Sequence, residues 1–169
     1  MVLTSVGYSF TQKFSVPAED AFVWSIDYDP ADWSLMGLEG KRKISRLSKD
    51  AIILEDTRRI EGDLVTKTRL IRINPKRLSF TNTHISGPTL HSQFWYEFFP
   101  EGKEGSRLEF TGLLLIPSGR ELTPKEVSGI ASREKKGDSR IWVNLAKAME
   151  SDYAKAKKGG RPSRTPARS

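Results

Sequence analysis

From Lys41 to Pro117 the sequence is a succession of alternating apolar and polar runs, at about 41–48, 51–60, 64–73, 78–85, 90–99 and 107–116. The breaks between them, "SKD", "EGD", "NPKR", "SGPT" and "PEGKEGS", are short and rich in turn-forming residues. Alternation with period two marks half-buried strands. Links this short cannot carry a crossover helix, so neighbouring strands must pair antiparallel. The chain is thereby committed to a six-strand meander.

The last pair is the most regular. In "HSQFWYEFFPEGKEGSRLEFTGLLLIP", residues 91–117, pairing about the turn at 100–106 sets Phe98 opposite Leu108, Tyr96 opposite Phe110 and Phe94 opposite Gly112. A glycine on that aromatic face lets the sheet bend sharply and leaves room for a ring or a ligand; the alternative is a bend alone.

Helical signals flank the meander. Residues 8–16, "YSFTQKFSV", alternate as a strand, with Tyr8, Phe10, Phe14 and Val16 on one side. Pro17 then suits a first helical turn, Glu19 and Asp20 suit its positive end, and Ala18, Ala21, Phe22, Ser25 and Ile26 share a face ending by about Tyr28. "DYDPADWSLMGLEG" predicts a second short helix carrying Trp33, with Asp29 as cap, Pro30 at the first position and Gly37 or Gly40 as the stop. "TPKE", residues 123–126, is a capping box with proline at the first helical position. Val127, Ile130, Glu134, Asp138, Ile141, Trp142, Leu145, Met149 and Tyr153 then recur at helical spacing to about Lys158. Gly137 either bends this helix or divides it, since glycine costs about 1 kcal/mol there relative to alanine.

Strand, two short helices, six strands and a long last helix make an α+β chain. Three stretches, "FSVPAEDAFVWSIDYDPADW", "YEFFPEGKEGSRLEFTG" and "GDSRIWVNLAKAMESDYAK", resemble the START-like, or SRPBCC, superfamily over about residues 6–155. That superfamily includes polyketide cyclases, lipid-transfer START domains, coenzyme Q-binding proteins and plant allergens of the birch pollen type. The resemblance implies a helix-grip fold: a seven-stranded antiparallel curved sheet wrapped around the C-terminal helix, with an apolar cavity between them. It also implies binding or transport of an apolar small molecule such as a lipid, isoprenoid, quinone or aromatic polyketide, and requires no cofactor. The alternative it leaves open is an enzyme of the polyketide cyclase or dehydratase type. The catalytic positions of such enzymes have no residue-by-residue match here.

Composition narrows the class. A length of 169 residues suits one domain able to bury roughly 70% of its unfolded surface. Cysteine is absent, which excludes disulfides, thiolate metal sites and a cysteine nucleophile, and fits a reducing compartment. No basic start precedes an apolar core, and no apolar run reaches about 18 residues, so the expectation is a soluble, cytoplasmic protein. The net charge of +7 is concentrated in one place. Six of the 28 Lys and Arg residues lie in "AKAKKGGRPSRTPARS", residues 154–169, leaving 22 to balance 21 acids. The domain is therefore expected over 1–158 and a disordered basic tail over 159–169, with weak contact to an anionic membrane left open and no specific nucleic-acid partner.

Candidate site residues follow from the expected faces. Treating "EGD" as a three-residue turn sets Ile60 opposite Leu64, Arg58 opposite Thr66, Asp56 opposite Thr68 and Leu54 opposite Leu70. The face holding Ile52, Leu54, Asp56, Arg58, Leu64, Thr66, Thr68, Leu70 and Arg72 is the more apolar and is placed inward; a one-residue slip would reverse it. Asp56 and Arg58 then stand at the cavity wall, where each needs a partner: the other, the last helix through Glu134 or Asp138, or a ligand. Phe94, Tyr96, Phe98, Phe110, Ile130, Ile141 and Trp142 supply the apolar wall, and Trp33 a lid. Residues of these types are more often plain core than ligand wall.

No motif fixes a chemistry. The sequence has no nucleophile elbow, phosphate loop or serine-protease order. His84 and His91 flank "ISGPTL" and could face one another, with Gln93 or Glu97 nearby, but two histidines without a third ligand assign no metal. Asp56, His84 and Tyr96 are the acid/base candidates of the enzyme alternative.

Overall fold

The structure, a computed structural model, describes residues 1–159 apart from Leu38, Glu61 and the side chain of Ile60. Beyond Gly159, the tail expected to be disordered lies outside the described residues. The order is β1 (Val2–Phe14), α1 (Ala18–Ser25), α2 (Asp32–Leu35), β2 (Gly40–Ser48), β3 (Ala51–Ile60), β4 (Asp63–Asn74), β5 (Ser79–His84), β6 (Gln93–Glu101), β7 (Gly105–Ser118) and α3 (Pro124–Lys157). All seven strands form one antiparallel sheet in the order β1-β7-β6-β5-β4-β3-β2. It is a meander to which β1 is added beside the last strand. The sheet curves around α3, as the helix-grip expectation requires.

Local chemistry explains the ends of α3. Thr123 accepts from the Glu126 backbone amide at 3.3 Å while the Glu126 carboxylate accepts from the Thr123 amide at 2.8 Å, the reciprocal bonds of a capping box. The helix runs undivided through Gly137 to Lys157. Trp142, Leu145, Ala146 and Met149, spaced one turn apart, are its buried stripe. Phe14 of β1 and Phe98 of β6 meet Trp142 of that stripe, and Phe22 of α1 and Phe80 of β5 pack on Phe98. The short helices begin later than the sequence suggests: Pro17 is the cap of α1, and Asp29 caps a turn by accepting from the Ala31 amide at 2.8 Å, before α2 starts.

Strand register divides into one expectation met and one overturned. Across β6 and β7, Phe98 pairs with Leu108, Tyr96 with Phe110 and Phe94 with Gly112, as the turn between them dictates. Across β3 and β4 the pairs are Ile60 with Asp63, Arg58 with Val65, Asp56 with Lys67 and Leu54 with Arg69. The turn holds two residues rather than three, with Gly62 at φ 96°, a backbone conformation that favours glycine. This slip leaves Ile52, Leu54 and Asp56 inward on β3 but reverses β4. Leu64, Thr66 and Arg72 face solvent; Ile71 and Ile73 are buried, and Lys67 and Arg69 come in with them, half-buried.

Candidate functional site

The reversed face of β4 builds a charged centre. Asp56 is buried and accepts from Arg42 in a two-pronged pair, Nε to Oδ1 at 2.8 Å and Nη2 to Oδ2 at 3.2 Å. Arg69 Nη2 donates to the same Oδ2. Arg42 comes from the cross-strand neighbour of Asp56 on β2, and Arg69 lies diagonally across on β4. Two guanidiniums thus share one carboxylate with little water, an arrangement that persists only where the charges are well hydrogen-bonded. Aromatic rings cover the outer side: the Arg42 guanidinium lies 5.1 Å from the Trp33 ring and 5.7 Å from that of Tyr28.

Above this centre lies a pocket of about 150 Å³ between sheet and helix. Arg42, Arg69, Phe80, Asn82 and Tyr96 form its floor. Asp138, Ile141, Trp142 and Leu145 descend from α3, and Trp24, Tyr28, Asp32 and Met36 close the side nearest α1 and α2. Asp138 reaches the pocket because it precedes Trp142 by four residues and so shares its helix face. Tyr28 reaches it through a left-handed backbone, φ 53°, unusual for an aromatic residue. Its ring meets Phe80 edge-on at 6.3 Å, and Phe80 stacks on Tyr96 at 4.4 Å.

Burial dominates the electrostatics of the lining. Burial, with the Asp138 and Tyr28 side chains nearby, pushes the Tyr96 phenol up, and burial does the same for Tyr28. The Asp138 carboxyl is also raised by burial, although it accepts a 2.7 Å hydrogen bond from the Tyr8 hydroxyl. Lys67 is lowered to about 8 by burial and by the Arg58 and Arg69 charges. Four buried side-chain polar atoms among the described residues have no hydrogen-bond partner, and three of them belong to residues lining this pocket: Tyr28 Oη, Arg69 Nε and Asn82 Oδ1. The fourth is Trp33 Nε1.

The residues singled out from sequence are distributed unevenly about this site. Tyr96, Ile141 and Trp142 line the pocket. Asp56 lies beneath it, occupied by the two arginines, and Trp33 packs against the outer side of Arg42. Arg58, half-buried, lies two residues beyond Asp56 and is not its partner among the ion pairs found. Phe94, Phe98 and Phe110 are packed into the core rather than the pocket wall. Ile130 is half-buried against that core, and Glu134 pairs with its neighbour Arg133 at 3.2 Å. Sequence reasoning missed Arg42, Arg69, Asn82, Tyr28 and Phe80. His84 is buried away from the pocket lining, its Nδ1 2.8 Å from Thr89 Oγ1, while His91 is exposed. No group of three metal-ligating side chains occurs among the described residues.

No protein-family model and no curated protein matches the sequence. Solved structures do match in shape. The Zhui aromatase/cyclase from Streptomyces sp. R1128 superposes with a TM-score of 0.69 at 15% identity, covering 94% of this chain and 100% of that one. Ara h 8.0201 gives 0.66 at 14% identity over 88% of this chain and 99% of that one. The di-domain ARO/CYC StfQ from the steffimycin biosynthetic pathway gives 0.69 at 15% identity, over 89% of this chain and 52% of that one. Identities this low establish a shared fold.

Proposed function

We propose that this chain, which has the helix-grip fold of the START-like superfamily, binds a small ring-containing molecule in the pocket between its sheet and α3. The observation that carries this reading is the pocket itself: Phe80 and Tyr96 on the floor beside two arginines, with Trp142 facing them from α3. Burying an apolar ring there gains about 25 cal/mol per Å² removed from water, and the polar floor orients it. A volume near 150 Å³ is that of a cavity taking a single benzene-sized ring. Among the ligand classes expected, it therefore favours one ring of an aromatic polyketide or quinone over the chain of a lipid or isoprenoid. Trp24 and Trp142 stand in the wall, so binding should change tryptophan emission. Native mass spectrometry, thermal shift and emission titration against aromatic, quinone and isoprenoid probes test it. A retained ligand or saturable binding that Trp142→Ala weakens at least tenfold is expected; no adduct, no stabilisation and no emission change with any probe would overturn it.

A second reading, an enzyme of the cyclase or dehydratase type, is favoured by one observation. Asp138, its carboxyl raised by burial, and Tyr96 share the pocket, and a raised carboxyl suits acid/base work near neutrality. Two of the groups first considered for that role are elsewhere engaged, Asp56 with its arginines and His84 with Thr89. Dehydration of a small aromatic β-hydroxy ketone, lost in Asp138→Asn, would support it; equal rates in the two proteins would remove it.

A further inference from the structure

Three residues that line the pocket each hold a buried atom without a partner, and the three atoms have different valences. Arg69 Nε is a donor alone and requires an acceptor, whereas Asn82, whose side chain also bonds Tyr96, keeps Oδ1 as an acceptor that requires a donor. The Tyr28 hydroxyl can serve either way. Buried side-chain polar atoms are generally hydrogen-bonded, so three exceptions around one small volume point to the chemistry of its occupant. Water meets such valences singly. An organic ligand meets them while also covering Phe80, Tyr96 and Trp142.

Charge narrows the choice. Arg42 and Arg69 are two cations that share the carboxylate of Asp56. Lys67, cross-strand from Asp56, and Arg58 add positive charge on the same side. The effect on neighbours is visible: burial lowers His84 to about 3, and the Lys67 and Arg69 charges add to that lowering. Acidic groups stand on the opposing walls, Asp32 from α2 and Asp138 from α3. Burial disfavours the charged form of Asp138, and Tyr8 already donates to it, so its repulsion of an incoming anion is reduced. The Arg69 end of the floor is thus where an anionic group gains most.

We infer that the occupant is a hydroxylated single-ring aromatic acid, with its carboxylate at Arg69, its hydroxyl at Asn82 and its ring between Phe80, Tyr96 and Trp142. This rests on the binding reading above and names the ligand class it leaves open. A carboxylate supplies the acceptor that Arg69 Nε lacks, and a ring hydroxyl supplies the donor that Asn82 Oδ1 lacks. A single ring matches the pocket's volume.

The test uses the full chain and the 2-, 3- and 4-hydroxybenzoates, each against the hydroxybenzamide of the same shape, with affinity read by calorimetry and tryptophan emission. At least one acid should bind tenfold or more tightly than its amide, and Arg69→Gln should bring that ratio to within about twofold. Asn82→Leu should weaken the hydroxybenzoate several-fold more than it weakens benzoate. Equal binding of acid and amide to the unmodified protein overturns the inference and leaves the binding reading standing. An acid preference that survives Arg69→Gln in folded protein overturns it as well. Failure of every acid and amide to bind overturns the inference while other ring probes decide the broader reading. The acid-to-amide comparison in the unmodified protein is decisive even where Arg69→Gln folds poorly.

Discussion

Tyr8 and Gly112 form one cross-strand pair of β1 and β7, and the Tyr8 ring occupies the space a side chain at residue 112 would need. A Cβ there would stand 2.9 Å from Tyr8 Cε1 and 3.1 Å from Phe110 Cε1. The room this glycine leaves is taken by a ring, and the ring is the protein's own. From that position the Tyr8 hydroxyl reaches Asp138.

Gly112→Ala should therefore displace Tyr8 and break its bond to Asp138. Overpacking of a filled core costs typically about 1–3 kcal/mol. Urea unfolding should show a loss in that range, and Gly112→Ala combined with Tyr8→Ala should recover part of it. A Gly112→Ala variant as stable as the parent would show that the ring moves aside freely.

The Asp56 carboxylate stands between Arg42 and Arg69, with side-chain exposures of 9, 5 and 17%. Its removal leaves two cations facing each other with little water, and breaking a buried pair in this way costs about 3–5 kcal/mol. Asp56→Ala should fall in that range. Arg69→Ala should cost less, because Arg42 still holds the carboxylate in its two-pronged pair. The comparison is made by denaturant unfolding at neutral pH, and the reverse ranking would contradict the shared-carboxylate arrangement.

Tyr28 carries a buried hydroxyl without a partner. Leaving such a group unmet costs about 1–3 kcal/mol, so exchanging it for hydrogen relieves the fold. Tyr28→Phe should stabilise the free protein by about 1 kcal/mol in thermal and urea unfolding. Unchanged or reduced stability would mean that the hydroxyl is satisfied.

Why the sequence revealed the fold but only part of the pocket can be traced to particular residues. The β6–β7 register was legible because Phe94, Tyr96 and Phe98 alternate without interruption up to a turn of one obvious length. The β3–β4 register was not, because "EGD" fits a turn of two residues or of three, and β4 carries apolar side chains at both parities: Leu64 and Leu70 against Val65, Ile71 and Ile73. The burial of both Ile71 and Ile73 follows from the two-residue turn, which carries Arg69 inward with them. Arg42 was hidden differently, on an edge strand whose "GKRK" has charges on both faces. Asp138 was legible as a polar residue within the apolar stripe of α3. Pocket volume was not, since it depends on how closely Phe94, Phe98 and Phe110 pack, and they fill the core instead of lining a larger void.

His84 gives the fold an acid-sensitive point. Burial, then the Lys67 and Arg69 charges, lower it from 6.5 to about 3. A histidine depressed in the folded state contributes stability that is present above its unfolded value of 6.5 and is lost as pH falls toward 3. The slope from this one group is at most about 1.4 kcal/mol per pH unit. Urea unfolding between pH 7.5 and 4.5 should show the parent losing stability relative to His84→Asn as the solution is acidified. Parallel curves for the two proteins would mean that His84 accepts a proton in place.

Asp138 acts with the opposite sign. Its carboxyl is raised above the ordinary 3.8 mainly by burial, the Tyr8 bond opposing that rise and the Glu134 charge adding to it. A group raised in the folded state contributes stability that is fully present below 3.8 and is lost as pH rises through the folded value. Asn at this position keeps an acceptor for the Tyr8 hydroxyl and carries no charge at any pH. Relative to Asp138→Asn, the parent should therefore become less stable as pH climbs from about 4 toward neutrality, the reverse of the His84 comparison. Measuring both variants across one pH series separates the two effects. A parent that gains stability over Asp138→Asn with rising pH would mean that the ionised carboxylate is favoured where it stands, and would remove the reason for assigning it acid/base chemistry.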